Sequence, residues 1–92
     1  MKIDFYLRFK THIGQSLSIM GNLNILGNNE TGAALPMLFL SEDYWHASIE
    51  IDELFNGSVS YRYVFKNEKG GVLVDGEKQR FIKPDGKNIV VL

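Results

Sequence analysis

Lys2-Ile3-Asp4-Phe5-Tyr6-Leu7-Arg8-Phe9-Lys10 alternates in character: Ile3, Phe5, Leu7 and Phe9 fall on one face, and Lys2, Asp4, Arg8 and Lys10 on the other. A period of two sends successive side chains to opposite sides of a pleated strand, so this stretch predicts a strand half buried against a core. Tyr6 is the one aromatic on its outer face. The same period recurs downstream. Trp45, Ala47, Ile49 and Ile51 point inward, while His46, Ser48 and Glu50 point out. Ser58–Lys66 sets Val59, Tyr61, Tyr63 and Phe65 against Ser60, Arg62, Val64 and Lys66, and its β-branched and aromatic residues suit a pleated surface.

Working outward, shorter strands are expected at Ser16–Met20 (closed by Gly21), Val72–Asp75, Gln79–Lys83 and Asn88–Leu92. Asn67-Glu68-Lys69-Gly70-Gly71 reads as a hairpin turn, its glycines free to take positive φ, and Pro84-Asp85-Gly86 as a second turn. Asn22–Gly32 is rich in Asn and Gly and reads as a long loop, with Leu23, Ile25 and Leu26 tucked inward. Asp52–Gly57 holds a helical turn at most. Seven or eight short strands and no amphipathic helix predict an all-β fold, an antiparallel immunoglobulin-like β-sandwich. Residues 1–92 form one domain, since a chain of this length buries roughly 60–65% of its unfolded surface around a single core.

Composition narrows the function. Ten basic and eleven acidic residues give a net charge of −1, and the pI is about 6.1. Binders of nucleic acid or anionic membranes carry a basic excess, so neither partner is expected. The sequence has no cysteine, which excludes disulfides, thiolate metal sites and a Cys nucleophile. Met1-Lys2-Ile3-Asp4 runs straight into alternating residues with no apolar leader, and with the missing disulfides this predicts a cytoplasmic location. The longest apolar run, Ala33 to Leu40, contains Pro36 and is too short to span a bilayer.

No catalytic constellation emerges. His12 and His46 are far apart and read as surface residues; Asp75 and Glu77 flank Gly76 and read as solvated charge, as do Glu42-Asp43 and Asp52-Glu53. No catalytic residue, metal ligand or cofactor is therefore assigned. What remains is aromatic surface. A pyranose ring packs its C–H groups against a π-face while neighbouring amides, carboxylates or guanidinium groups bond its hydroxyls.

The order of particular residues adds to this. Phe5-x-Leu7-x-Phe9-x-Thr11-x-x-Gly14-Gln15-x-Leu17 is followed by Ile19-Met20-Gly21 and Leu26-Gly27, then by Ala34-Leu35 before Met37, Trp45 opening a strand, Tyr61-Arg62-Tyr63, and Asp75-Gly76-Glu77-Lys78-Gln79-Arg80. Over Lys2 to Leu92 this pattern resembles the starch-binding domain of carbohydrate-binding module family 20. The resemblance implies an eight-stranded sandwich that binds α-1,4-glucan or maltooligosaccharide at up to two sites. Where the family's first site carries two tryptophans, this chain has Asn29 and Val74; Arg62 stands where Lys is usual and Gln79 where Asn is usual. At the second site Ile13 replaces one ring, Tyr44 or Phe39 supplies the other, and Trp45 matches. The implied ligand-binding set is thus Arg62, Gln79, Asn29, Asp75, Tyr44 and Trp45. The resemblance further implies a covalently linked catalytic domain beyond Leu92, of the amylomaltase-type 4-α-glucanotransferase, whose modules lie at the N-terminus. The alternative is a degenerate module that no longer binds sugar and packs between domains or subunits.

Overall fold

The structure, a computed structural model, describes residues 1–41, 43–75, 79–84 and 87–91. Among them nine strands form: β1 (Lys2–Arg8), β2 (Ser16–Gly21), β3 (Leu35–Pro36), β4 (Leu38–Phe39), β5 (Tyr44–Glu50), β6 (Val59–Lys66), β7 (Val72–Val74), β8 (Arg80–Ile82) and β9 (Lys87–Val91). They build two sheets, one in the order β4-β5-β1-β9 and the other in the order β3-β2-β6-β7, with β8 also on β6. Val64 pairs with both Ser18 and Val74, and Tyr61 with both Gly21 and Arg80. So β7 and β8 share one edge of β6, broken between Val74 and Arg80, and the nine strands occupy eight lanes.

The inward residues of the alternating stretches meet between the sheets. Ile3, Phe5, Ile19, Leu26, Ile49 and Val59 are fully buried, each contributing about 1.5–3 kcal/mol by leaving water. Phe5 meets Tyr61 edge-on at 5.0 Å and Phe9 meets Phe65 at 5.7 Å, which lays β1 over β6. Turn chemistry follows the sequence as well. The Asn67 carboxamide oxygen accepts from the Lys69 and Gly71 amides at 2.9 and 2.7 Å, and Gly70 takes φ 85°. Asp52–Phe55 closes one turn, its Asp52 carbonyl accepting from Phe55 N–H at 2.9 Å.

Five features differ from the sequence reading. The pairing is antiparallel except for β1 with β9, which is parallel from Lys2↔Lys87 to Tyr6↔Val91. The stretch expected as a loop over 22–32 forms two short 3-10 helices, Asn24–Asn29 and Thr31–Ala33; that winding buries Leu26 and half-buries Leu23 but turns Ile25 outward, 47% exposed. The apolar run after it, not read as strand, supplies β3 to one sheet and β4 to the other. Met37 between them is buried and donates its N–H to the Leu17 carbonyl at 2.9 Å. Phe9 lies past the end of β1 because its N–H turns to the Asp43 carbonyl at 2.7 Å, and its ring is 43% exposed. Val64, on the polar side of its strand, is buried. Glu42, Gly76–Lys78, the Asp85-Gly86 tip of the expected turn and Leu92 lie outside the described residues.

Candidate functional site

Three surfaces carry the residues of interest. The first is the outer face of the sheet built on β2 and β6. Arg62 lies opposite Met20 in register, and the next row holds Ser18, Val64 and Val74. Arg80 pairs with Tyr61, where the pairing of β8 with β6 ends, and Gln79 lies just before that strand. The register places Arg62 and Val74 on this face one row apart. Met20 and Val64 are buried in the same rows, so the guanidinium stands on an apolar floor. Asn29 does not lie on a strand. It closes the first 3-10 helix, exposed and with φ 63°, and Asn28 before it has φ 51°. Left-handed backbone of this kind suits Asn, whose short polar side chain tolerates it, far better than a large ring.

The second surface is the outer face of the sheet built on β1 and β5. In register across four strands it presents Leu38, His46, Tyr6 and Val91 as one row. The Tyr6 and His46 rings lie 4.7 Å apart, and the Arg8 guanidinium sits 5.9 Å from the Tyr44 ring centre. Tyr44 and Tyr6 border a shallow depression with Leu40, Ser41 and Val91. His46 donates from Nε2 to the Asp4 carboxylate at 2.9 Å. That bond holds the Asp4 carboxyl below its ordinary value, against the opposing effect of burial and with added help from Lys2. Trp45, by contrast, points into the sandwich and is 7% exposed, meeting Phe39 edge-on at 5.5 Å. Its indole nitrogen is buried with no hydrogen-bond partner among the described residues, so the ring serves the core.

The third surface was not singled out from the sequence. At the end of the sandwich where Phe9 faces Phe65, a cleft of about 380 Å³ opens over Leu7 and Leu17. Leu73 and Phe65, paired across β7 and β6, wall one side. Its polar rim is an ion pair: Arg80 Nη2 and Nε both reach Asp75 Oδ2, at 3.2 and 3.4 Å. The Arg80 guanidinium also lies 5.8 Å from the Tyr63 ring centre, and the Asp75 N–H donates to the Tyr63 carbonyl at 2.8 Å. Burial pushes the Tyr63 phenol well above its ordinary pKa. The signal for this site was present in the parity of β8: Arg80 and Ile82 occupy inward positions, opposite Tyr61 and Val59, and an arginine aimed inward needs a partner and an opening.

No group of three or more metal-ligating side chains forms among the described residues, and no described helix is long and apolar enough to cross a membrane. The carboxylates Asp52, Glu53 and Asp43 stand apart on loops, and His12 is exposed beside its turn.

The sequence matches the family model CBM_20, described as a starch binding domain, over residues 1–88. No curated protein matches it. Among solved structures it resembles the family 20 carbohydrate-binding module of a maltotetraose-forming amylase from Pseudomonas saccharophila, with TM-score 0.78 and 18% identity over all of both chains. It also resembles part of a γ-cyclodextrin glucanotransferase from alkalophilic Bacillus clarkii, with TM-score 0.82 and 18% identity over 98% of this chain and 14% of that one. A Hypocrea jecorina family 15 glucoamylase gives TM-score 0.79 and 18% identity over 96% of this chain and 16% of that one. The chain thus spans about a sixth of the glucoamylase and a seventh of the glucanotransferase, and at this identity the likeness is one of fold.

Proposed function

The chain belongs to the CBM_20 starch-binding domain family, and on that premise we propose that it is a non-catalytic α-glucan-binding module which concentrates an attached enzyme on starch, glycogen or maltodextrin. The observation that carries this is Arg62 on the outer side of β6, opposite Met20, with Gln79 directly before Arg80, whose strand pairs with β6 at the neighbouring Tyr61. A guanidinium donates to sugar hydroxyls and a carboxamide both donates and accepts, which is the pairing that neighbouring hydroxyls require. The stacking rings that normally share such work are replaced by Asn29 and Val74, so the affinity is modest. Each absent ring withholds on the order of 1–2 kcal/mol. We assign the attached enzyme to the amylomaltase-type 4-α-glucanotransferases, working in the cytoplasm; the absence of cysteine supports this reading. Affinity electrophoresis through an amylopectin gel, with titration by β-cyclodextrin, tests it. Retardation by the gel, reduced in Arg62→Ala, is expected; no response at millimolar ligand refutes glucan binding.

A second reading rests on a different face. Leu38, Leu40, Ile89 and Val91 are 70, 52, 62 and 61% exposed, and apolar groups gathered on one outer sheet face mark a contact surface. In this reading the module packs through that face against its neighbouring domain or subunit. Deleting residues 1–92 from the parent would then lower its stability or change its oligomeric state, and an unchanged parent refutes it.

A further inference from the structure

We infer that the cleft between Phe9, Phe65 and Leu73 is a third glucan contact, holding the terminal glucosyl unit of an α-glucan chain with the Asp75–Arg80 pair bonding its hydroxyls. The inference rests on the α-glucan reading above and assigns it a place outside the two sheet faces.

The cleft lies where the inner side chains Leu7 of β1, Leu17 of β2, Phe65 of β6 and Leu73 of β7 come together at one end of the two sheets. Phe9, turned off the end of β1, closes only part of the gap. Phe9 and Leu73 remain 43 and 69% exposed although both belong to the inward parity. A core with its lid left ajar is unfavourable unless something covers it.

The chemistry of the walls selects the guest. Phe9 and Phe65 offer aromatic faces to the C–H groups of a pyranose ring. At the rim, Arg80 and Asp75 are 39 and 40% exposed in their side chains, so both reach solvent and ligand. The two Arg80 bonds converge on Oδ2. Asp75 Oδ1 and the remaining Arg80 N–H groups stand next to each other as acceptor and donors. Vicinal hydroxyls need that alternation. The pair is also self-neutralised, which disfavours an anionic guest and suits an uncharged polyol. The volume of about 380 Å³ lies at the small end of ligand sites and fits a chain end rather than a helical segment of glucan.

The test is titration of the isotopically labelled protein with maltotriose, followed by its amide resonances, in wild type, Leu73→Lys, Phe9→Ala and Arg62→Ala. Leu73 and Phe9 are exposed, so their variants keep the fold, which thermal melting checks independently. The expected result is shifts centred on Phe9, Phe65, Leu73 and Asp75, with affinity about five- to tenfold weaker in Leu73→Lys and Phe9→Ala. Shifts confined to Arg62, Val74 and Gln79, with both cleft variants binding as wild type does, overturn the cleft assignment and leave glucan binding intact. Cleft shifts with hexanol but none with maltotriose overturn it in favour of an aliphatic guest. A wild type silent to maltotriose and to amylopectin overturns glucan binding and this inference together.

Discussion

Replacing Gly21 by alanine tests the packing that seats the Asn29 segment on its sheet. Gly21 ends β2 opposite Tyr61. A Cβ there would press against the Ser60 carbonyl oxygen and come within 2.8 Å of Leu26 Cδ1. Neither neighbour gives easily. Ser60 is backbone in a central strand, and its carbonyl accepts from Asn22 N–H at 3.1 Å. The same Asn22 clamps this corner with its side chain, donating to the Ser58 carbonyl and accepting from Ser60 N–H, both at 3.1 Å. Leu26 is fully buried. To admit the methyl, β2 must draw away from β6, which costs about 1–3 kcal/mol as overpacking and about 1 kcal/mol for each bond of the clamp it breaks. A loss of about 2–4 kcal/mol follows, from a total of roughly 5–15 kcal/mol for a domain of this size. At about 4–8 °C per kcal/mol, the melting temperature falls by roughly 8–32 °C. Trp45 is the sole tryptophan and is buried, so its emission follows urea unfolding directly. Gly32→Ala is the control, since nothing lies within 4 Å of a Cβ at that position, and it changes stability by no more than about 0.5 kcal/mol. Gly21→Ala unfolding at the wild-type midpoint, or a Gly32→Ala loss of the same size, would refute the reasoning.

Returning a ring to the outer face at Val74→Trp, next to Val64 and one row from Arg62, should tighten β-cyclodextrin binding about tenfold, read by calorimetric titration; unchanged affinity would show that the glucan does not cross this face. Two titrations have opposite signs. The Asp4 carboxyl lies below its ordinary value in the folded state, so its contribution is present above that ordinary value and is lost as pH falls through the lower folded one. The melting-temperature gap between wild type and Asp4→Asn therefore closes in acid. Burial raises the Tyr61 and Tyr63 phenols above 10. Stability held below pH 10 is then lost as pH rises further, and an ultraviolet titration should show these two phenols ionising together with unfolding.

The period-two stretches made β1, β5 and β6 legible, because alternation over seven or eight residues has one structural meaning. Short elements left no such trace. Two residues each at β3 and β4 are strands only because other strands lie ready to pair with them, and the 3-10 windings before them are set by Leu26 docking into a finished core. The parallel placement of β9 is a matter of which lane stayed open on β1, which no local pattern encodes. At the site, Arg62 was readable from strand parity and the family pattern, while Gln79 lies just before β8, where the pairing with β6 ends. Trp45 shows the limit: a ring at a strand's start reads equally as platform or core, and only its burial decides. The cleft was hidden for a related reason, since Phe9 and Leu73 have inward parity and only their exposure in the folded chain reveals it.

The side-by-side parallel pairing of β1 and β9 has a mechanical consequence. Force entering at Met1 and leaving past Val91 pulls the two strands lengthwise in opposite senses, so the rungs between them are loaded in shear and must yield together rather than peel one after another. A domain threaded this way makes a stiff tether. In single-molecule pulling through its two ends it should rupture at higher force than when gripped across β4 and β9.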